Sequence, residues 1–305
     1  MVESFSKIKI IEGIAIPDFW DAEIFRSASN YKAQSDDIFL VVYPKSGTTW
    51  MQVILYTLMN DGEAFDNSMS EYFARTPFLE LVGERGIKNM HRPCVIKTHL
   101  PFNRVSYHKN AKYICVVRNP KDVCVSLYYF LFKIFGIQSN QTLFDAFFED
   151  FINGNVPFGV YFEHPHSIWQ HKDDANVFLT SYEEMKRDLP EVIDRIAQFM
   201  NIELSDNLLE HIATYSSFNY MKERFHKAYT AQARIALASE ALDEPLHIDR
   251  IALQNLDHRI IVRAGATGNW SSTMSEEQSQ RIDKIFAEKT ADMPGVDKLF
   301  LPYYV

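Results

Sequence analysis

Four short runs along the chain are apolar and rich in β-branched residues, with no regular polar alternation: IFLVVY (38–43), CVIKTH (94–99), YICVV (113–117) and NVFLTSY (176–182). Runs of that kind suit strands buried on both faces in the middle of a parallel sheet. Helical spacing follows three of them, over 48–60, 120–135 and about 183–200. Further helical pattern falls at 142–152, 205–214 and 275–289. Strands alternating with helices predict a central parallel sheet flanked by helices. The chain has no repeat, low-complexity tract or Pro/Gly-rich linker, so the reading is one α/β domain over residues 1–305. The stretch 224–260 stands apart, mixing alanines, charges and histidines with weak periodicity. It reads equally as a mobile loop over a pocket and as plain surface helix and loop.

Composition changes this picture in four places. The chain carries 23 Phe and 15 Tyr, enough for a large aromatic core and for a lined apolar pocket besides. Its net charge is −9, which argues against a nucleic-acid partner and means that any anion site must gather its cations locally. The first residues, MVESFSKIKIIEGIAIPDF, lack a long apolar stretch and interleave Glu3, Lys7, Lys9 and Glu12, which argues against a signal peptide or membrane anchor. Cys94, Cys115 and Cys124 lie in apolar runs without metal-ligand spacing, so they read as buried free thiols in a reducing compartment, the cytoplasm.

Candidate chemistry gathers at the strand ends. In YPKSGTTWMQ (43–52), Pro44 stops the first strand because it has no N–H for a ladder. Gly47 permits close backbone approach, and Thr48, Thr49 and Trp50 open a helix. A strand, a tight loop and a helix N-terminus make an anion site, to which Lys45 adds a full charge. The order differs from a Walker loop, where glycine and lysine precede the Ser/Thr; here Lys45 comes before Ser46 and Gly47. Arg118 follows the YICVV strand, and Ser126 lies about two turns along the helix that Pro120 and Asp122 open. Lys97 and His99, two apart in KTHLP, leave an extended chain from one face. A histidine titrating near working pH beside a lysine suits proton abstraction with charge stabilisation. Open α/β sheets bind ligands at the carboxyl ends of their strands, so these groups can face one crevice. Taken singly, each has a plain structural reading: a βα turn, a surface ion pair, a helix serine, a structural histidine.

Together the segments resemble the cytosolic sulfotransferases. YPKSGTTW (43–50), KTHLP (97–101), RNPKDVCVSLYYF (118–130), TSYEEMKRD (180–188) and RAGATGNW (263–270) occur in that family's order, and the spacing fits from about residue 35 to 290. The resemblance implies in-line transfer of a sulfuryl group from 3′-phosphoadenosine 5′-phosphosulfate (PAPS, leaving PAP) to a hydroxyl or amine of a small acceptor, with no metal required. It implies that Lys45 meets the bridging oxygen as electrostatic or acid catalyst, while Ser46, Gly47, Thr48 and Thr49 hold the 5′-phosphosulfate and Trp50 packs on adenine. Lys97 would stabilise the transferring group, and His99 would take the acceptor's proton. Arg118 and Ser126 would hold the 3′-phosphate, with Ser126 also reaching Lys45 at rest, and Tyr182 would reach the adenine. Ser216, Ser217, Phe218 and Met221 would surround the nucleotide, and Arg263, the Ala264 N–H and Gly265 would complete the 3′-phosphate site. Phe78 and Phe130, and less directly Phe158 and Tyr161, would line an apolar acceptor pocket beside His99. By the same resemblance, 224–260 gates that pocket.

The chain departs from the family pattern at several positions. Ala264 replaces a usual lysine, Ile261 an aromatic residue and Asn269 an aspartate. Ser271, Ser275, Glu276 and Gln280 replace the family's dimer segment, so a monomer or a different homodimer is expected. Two other classes stay open on the residues alone. A P-loop kinase shares the strand–loop–helix physics but needs the other lysine order and a magnesium-binding carboxylate. A binding protein without turnover would fit the altered 263–265 motif but not the retained Lys45, Lys97, His99 and Ser126.

Overall fold

The computed structural model describes residues 8–65, 70–228 and 263–300. A short antiparallel hairpin of β1 (Ile8–Ile11) and β2 (Ile14–Pro17) precedes helix α1 (Ala22–Ser29). The central sheet contains β3 (Ile38–Val42), β4 (Val95–Thr98), β5 (Lys112–Val117) and β6 (Val177–Ser181). Their order is β4-β3-β5-β6, and every pairing is parallel. Around it lie α2 (Thr48–Met59), α3 (Ser70–Arg75), α4 (Leu79–Lys88), α5 (Pro120–Ile134), α6 (Gln141–Asn153) and α7 (Glu163–Trp169). They are followed by α8 (Tyr182–Arg187), α9 (Leu189–Met200), α10 (Asp206–Tyr215), α11 (Phe218–Ala228) and α12 (Glu276–Lys289). No described helix is long and apolar enough to cross a membrane.

β3 shows why its run is uniformly apolar: all five positions are buried, on two different faces. Ile38, Leu40 and Val42 enter one core with Met51, Ile54 and Leu58 of α2 and Ile193 and Ile196 of α9. Phe39 and Val41 enter the other core with Val123 and Leu127 of α5 and Phe147 and Phe151 of α6. Alternate side chains of a strand point oppositely, so a strand covered on both sides needs apolar residues at both parities. Phe39 is fully buried and stacks on Tyr113 at 5.2 Å; such burial contributes about 2–3 kcal/mol. The three cysteines are buried free thiols.

Several elements differ from the sequence reading. The stretch 183–200 is two helices, because Pro190 cannot continue α8 and Asp188 caps α9, accepting from the Glu191 N–H at 3.2 Å. The second strand stops at Thr98, so His99 lies one residue beyond it rather than within an extended run. Helix α4 escaped the periodic pattern because Gly83, at φ 61, kinks it. Of the stretch 224–260, residues 224–228 close α11; the remainder, with Ile261, lies outside the described residues.

Candidate active site

The loop after β3 is shaped by backbone. Ser46 N–H donates to the Tyr43 carbonyl at 3.2 Å, Lys45 takes φ 69 and Gly47 takes φ 100. Holding a lysine in the left-handed region costs roughly 1–2 kcal/mol, so the packing around it must over-determine this conformation. Gly47 is required twice over: by its φ, and because a Cβ there would stand 2.8 Å from Tyr182 Cδ2. As N-cap of α2, Gly47 has no side chain to cap the helix, leaving the first-turn N–H groups for another acceptor.

Arg118, at the end of β5, ties this loop to a distant segment. Its Nη1 donates to the Lys45 carbonyl at 2.9 Å and its Nη2 to the Ala266 carbonyl at 3.0 Å. The guanidinium lies 4.1 Å from the Tyr182 ring centre, and Tyr182 meets Trp50 edge-on at 5.3 Å. Asp122, in the first turn of α5, accepts from the Gly268 N–H at 2.8 Å and the Trp270 N–H at 3.2 Å, anchoring 263–270 over the site. A Cβ on Gly265 would fall 2.3 Å from Phe218, so that position also depends on glycine. The sequence reading gave Asp122 only a helix-opening role and missed this anchor; its place four residues after Arg118 carries no signal of a contact so far along the chain.

His99 is held from its ring. Nδ1 lies 2.5 Å from the Val42 carbonyl, which only accepts, so Nδ1 bears the hydrogen and a neutral ring keeps its lone pair on Nε2. Phe78 and Phe158 flank the imidazole edge-on at 4.9 and 5.1 Å. The two lysines rest on aromatic rings: Lys97 Nζ is 3.8 Å from the Phe78 centroid and Lys45 Nζ 4.3 Å from that of Phe130.

All but two of the residues singled out from the sequence line a single cavity of about 700 Å³. Lys45, Gly47, Thr48, Thr49, Trp50, Arg118 and Ser126 meet there with Tyr182, the 216–221 residues and Arg263, Ala264 and Gly265; Phe78, Phe130 and Phe158 form another part of the wall with Lys97 and His99 between. Ser46 is one exception, fully buried behind the loop. Tyr161 is the other, and it corrects the sequence reading: its hydroxyl donates to the Arg118 carbonyl and its ring packs on Tyr43, away from the cavity. The cause is the turn at Phe158 and Gly159, with φ 68 and 71, which sends Phe158 to the wall and Tyr161 inward. Trp20, Leu81, Val82, Met90, Ile134 and Lys186 also line the cavity and were not anticipated. The i+3 and i+4 spacing from Phe78 would have found Leu81 and Val82; the others come from elements with no motif.

The cavity's charge is one-sided. Lys45, Lys97, Arg118, Lys186 and Arg263 line it, with no Asp or Glu among its described lining residues. Enclosure, then Arg118, Arg263 and Lys97, lowers the Lys45 pKa to about 7. Enclosure lowers Lys97 to about 8, against the opposing pull of Glu80. Burial first, then Lys97, holds His99 well below its usual range. The expected titration of His99 near working pH is thereby corrected: the free imidazole is neutral well below that pH, because its surroundings disfavour a charge. Several buried donors here lack a protein partner among the described residues: Thr48 Oγ1, Trp50 Nε1, Arg118 Nε, Ser216 Oγ and, behind the loop, Ser46 Oγ. Each carries a hydrogen to donate, so the arrangement suits a ligand rich in acceptor oxygens.

Comparison with known proteins agrees with this geometry. The chain is 30% identical to sulfotransferase 1 family member D1 of Mus musculus over 93% of this chain and 94% of that protein. It is 31% identical to amine sulfotransferase of Oryctolagus cuniculus over 90% of this chain and 87% of that one. Among solved structures, mouse sulfotransferase SULT7A1 complexed with PAP superposes with a TM-score of 0.75 at 29% identity, covering 96% of this chain and 98% of that one. The Sulfotransferase domain model matches residues 35–294, and the chain therefore belongs to the sulfotransferase family.

Proposed function

We propose that this chain transfers the sulfuryl group of PAPS to a hydroxyl of a small, largely apolar acceptor. One observation carries the reading: a neutral imidazole with its lone pair on Nε2 stands where a wall of cations and unpaired donors meets a wall of aromatic rings. The residues present fit PAPS. Its phosphates and sulfate supply the acceptors that the first turn of α2, Thr48 Oγ1 and Arg118 Nε lack among the described residues, Arg263 adds positive charge, and two glycines leave room for close approach. When bound, PAPS supplies an activated sulfuryl group.

The roles of the side chains follow from their places. Lys45 lies beside the α2 N-terminus and supplies positive charge, and when protonated a proton, to the departing oxygen. Removing one preorganised donor of this kind typically costs about 3–4 kcal/mol of barrier. Lys97 neutralises charge on the oxygens in flight. His99 Nε2 accepts the acceptor's proton, and the Nδ1 bond to Val42 keeps the ring in the tautomer that this requires. Arg118, Ser126 and Arg263 hold the second phosphate, and Arg118 keeps the loop and the 263–270 segment together while doing so. Anions bound here favour the charged forms of Lys45 and His99, reversing part of the depression that enclosure imposes.

A neutral hydroxyl fits the aromatic end better than an amine. An ammonium there would meet Lys45 and Lys97 with no carboxylate on the described wall to receive it. The test is incubation with labelled PAPS, a chelator and a panel of phenols, aliphatic alcohols and amines. Labelled sulfate esters of the alcohols or phenols are expected. Consumption of ATP in a parallel incubation with magnesium and no chelator, with no use of PAPS, would favour a kinase, and tight PAP binding with no product from any acceptor would favour a binding protein.

A further inference from the structure

Just past β4, three donors in succession converge on one carboxylate oxygen. Thr98 Oγ1 and the His99 N–H each donate to Glu80 Oε1 at 2.7 Å, and the Leu100 N–H donates at 3.0 Å. Glu80 is 1% exposed, sits in the first turn of α4, and does not line the cavity. Its second oxygen, Oε2, has no hydrogen-bond partner among the described residues. As a cap for three N–H and O–H groups, a neutral amide oxygen would serve at lower cost, because an incompletely paired buried charge is expensive.

Lys97 accounts for the charge. Its N–H donates to the Pro77 carbonyl at 2.8 Å, and Phe78 bridges Lys97 in parallel, so the start of α4 and the end of β4 form one unit. Lys97 is the charged group that acts on Glu80 through space; the contacts of the carboxylate are Thr98 and backbone N–H groups. Burial raises the Glu80 carboxyl to about 6, and Lys97 acts against that rise. At neutral pH the group is therefore largely ionised, and its charge in turn lifts Lys97.

We propose that Glu80 is a positioning residue for the transfer reaction: it holds the Thr98–Leu100 backbone so that His99 stays aimed into the cavity, and it contributes a negative charge to this unit. This rests on the reading of His99 as the base. The carboxylate anchors the imidazole through its main chain while Val42 anchors it through its ring, two fixed points, one in α4 and one at the end of β3. Neither Glu80 nor Val42 lines the cavity.

Two variants separate the two parts of the role. Glu80→Ala removes the acceptor, and Glu80→Gln keeps an acceptor oxygen and removes the charge. In Glu80→Ala, hydrogen exchange at the His99 and Leu100 amides should accelerate, and kcat should fall by about 10²-fold while PAP affinity, read by calorimetry, changes less than about threefold. In Glu80→Gln, the alkaline limb of the kcat–pH profile should move to lower pH by about one unit, because Lys97 loses the charge that lifts it. A merely structural residue would not move that limb. Wild-type kcat in both variants, or an unmoved limb in Glu80→Gln, would overturn the proposal. Absence of transfer by the wild-type chain would instead overturn the function reading; Glu80 is then judged by exchange, and unchanged protection at His99 and Leu100 in Glu80→Ala overturns it.

Discussion

The two ends of the cavity are built by different means. The cationic end is made largely of backbone and short motifs: the loop at 45–50, Arg118 on two carbonyls, and the 263–270 strap held by Asp122. Its side chains are fixed by hydrogen bonds and by close glycine contacts. The aromatic end has few polar anchors. Trp20, Phe78, Phe130 and Phe158 come from four separate parts of the chain; Trp20 meets Phe78 and Phe158 through ring edges at 5.5 and 5.7 Å, and Phe130 lies under Lys45. The difference teaches a division of labour. Recognition of a nucleotide with two anionic groups needs donors at set positions, and apolar burial needs only area and shape. His99 stands at the junction, tied by hydrogen bonds to the sheet and packed by rings on its cavity side.

Substitutions confined to one end should break one function and spare the other. The largest such effect is expected from Gly47→Ala. It forces an alanine to φ 100 and drives a Cβ against Tyr182, and PAP affinity should fall by about 10–100-fold by calorimetry. Equal binding by Gly47→Ala would mean that the loop does not hold the nucleotide. Next, Phe130→Ala removes a ring of the acceptor wall and the rest of Lys45. It should lower kcat/KM for an apolar acceptor by about tenfold while PAP affinity stays within a factor of about two. A larger loss in PAP affinity than in acceptor use would erase the division between the ends.

The smallest effect sharpens the comparison through protons. Lys45 titrates at about 7 in the free site, and a bound polyanion raises it. The sign follows: below about pH 7 the lysine is already charged, and above it PAP binding must take up a proton, so affinity falls severalfold between about pH 6 and 8. Calorimetry in buffers of different ionisation enthalpy reads that uptake directly. No uptake near pH 8 would place Lys45 away from the anion.

Legibility followed the same division. β3 was readable because a strand covered on both faces needs apolar residues at both parities, and Ile38–Val42 meets that need without a break. The loop at 45–50 was readable because Pro44, Gly47 and the Thr48–Trp50 helix start act within a few residues of one another. The acceptor wall was not, since Trp20, Met90 and Ile134 become neighbours only once the chain is folded. Tyr161 was misplaced because local apolarity says nothing of which way a chain turns at Gly159. The depressed pKa of His99 was invisible for a related reason: it comes from enclosure and from cations brought in by other elements. Glu80 was hidden beside Phe78, its three donors lying on a strand some twenty residues later.

The central claim is that His99 removes the acceptor's proton in a site whose nucleotide end works independently of it. Single-turnover transfer from enzyme preloaded with labelled PAPS, in a chelator, compares the wild type with His99→Ala. The wild type should form the sulfated acceptor, and the variant should bind PAP equally well but transfer slower by about 10²–10⁴-fold. Transfer by His99→Ala at the wild-type rate would contradict the account.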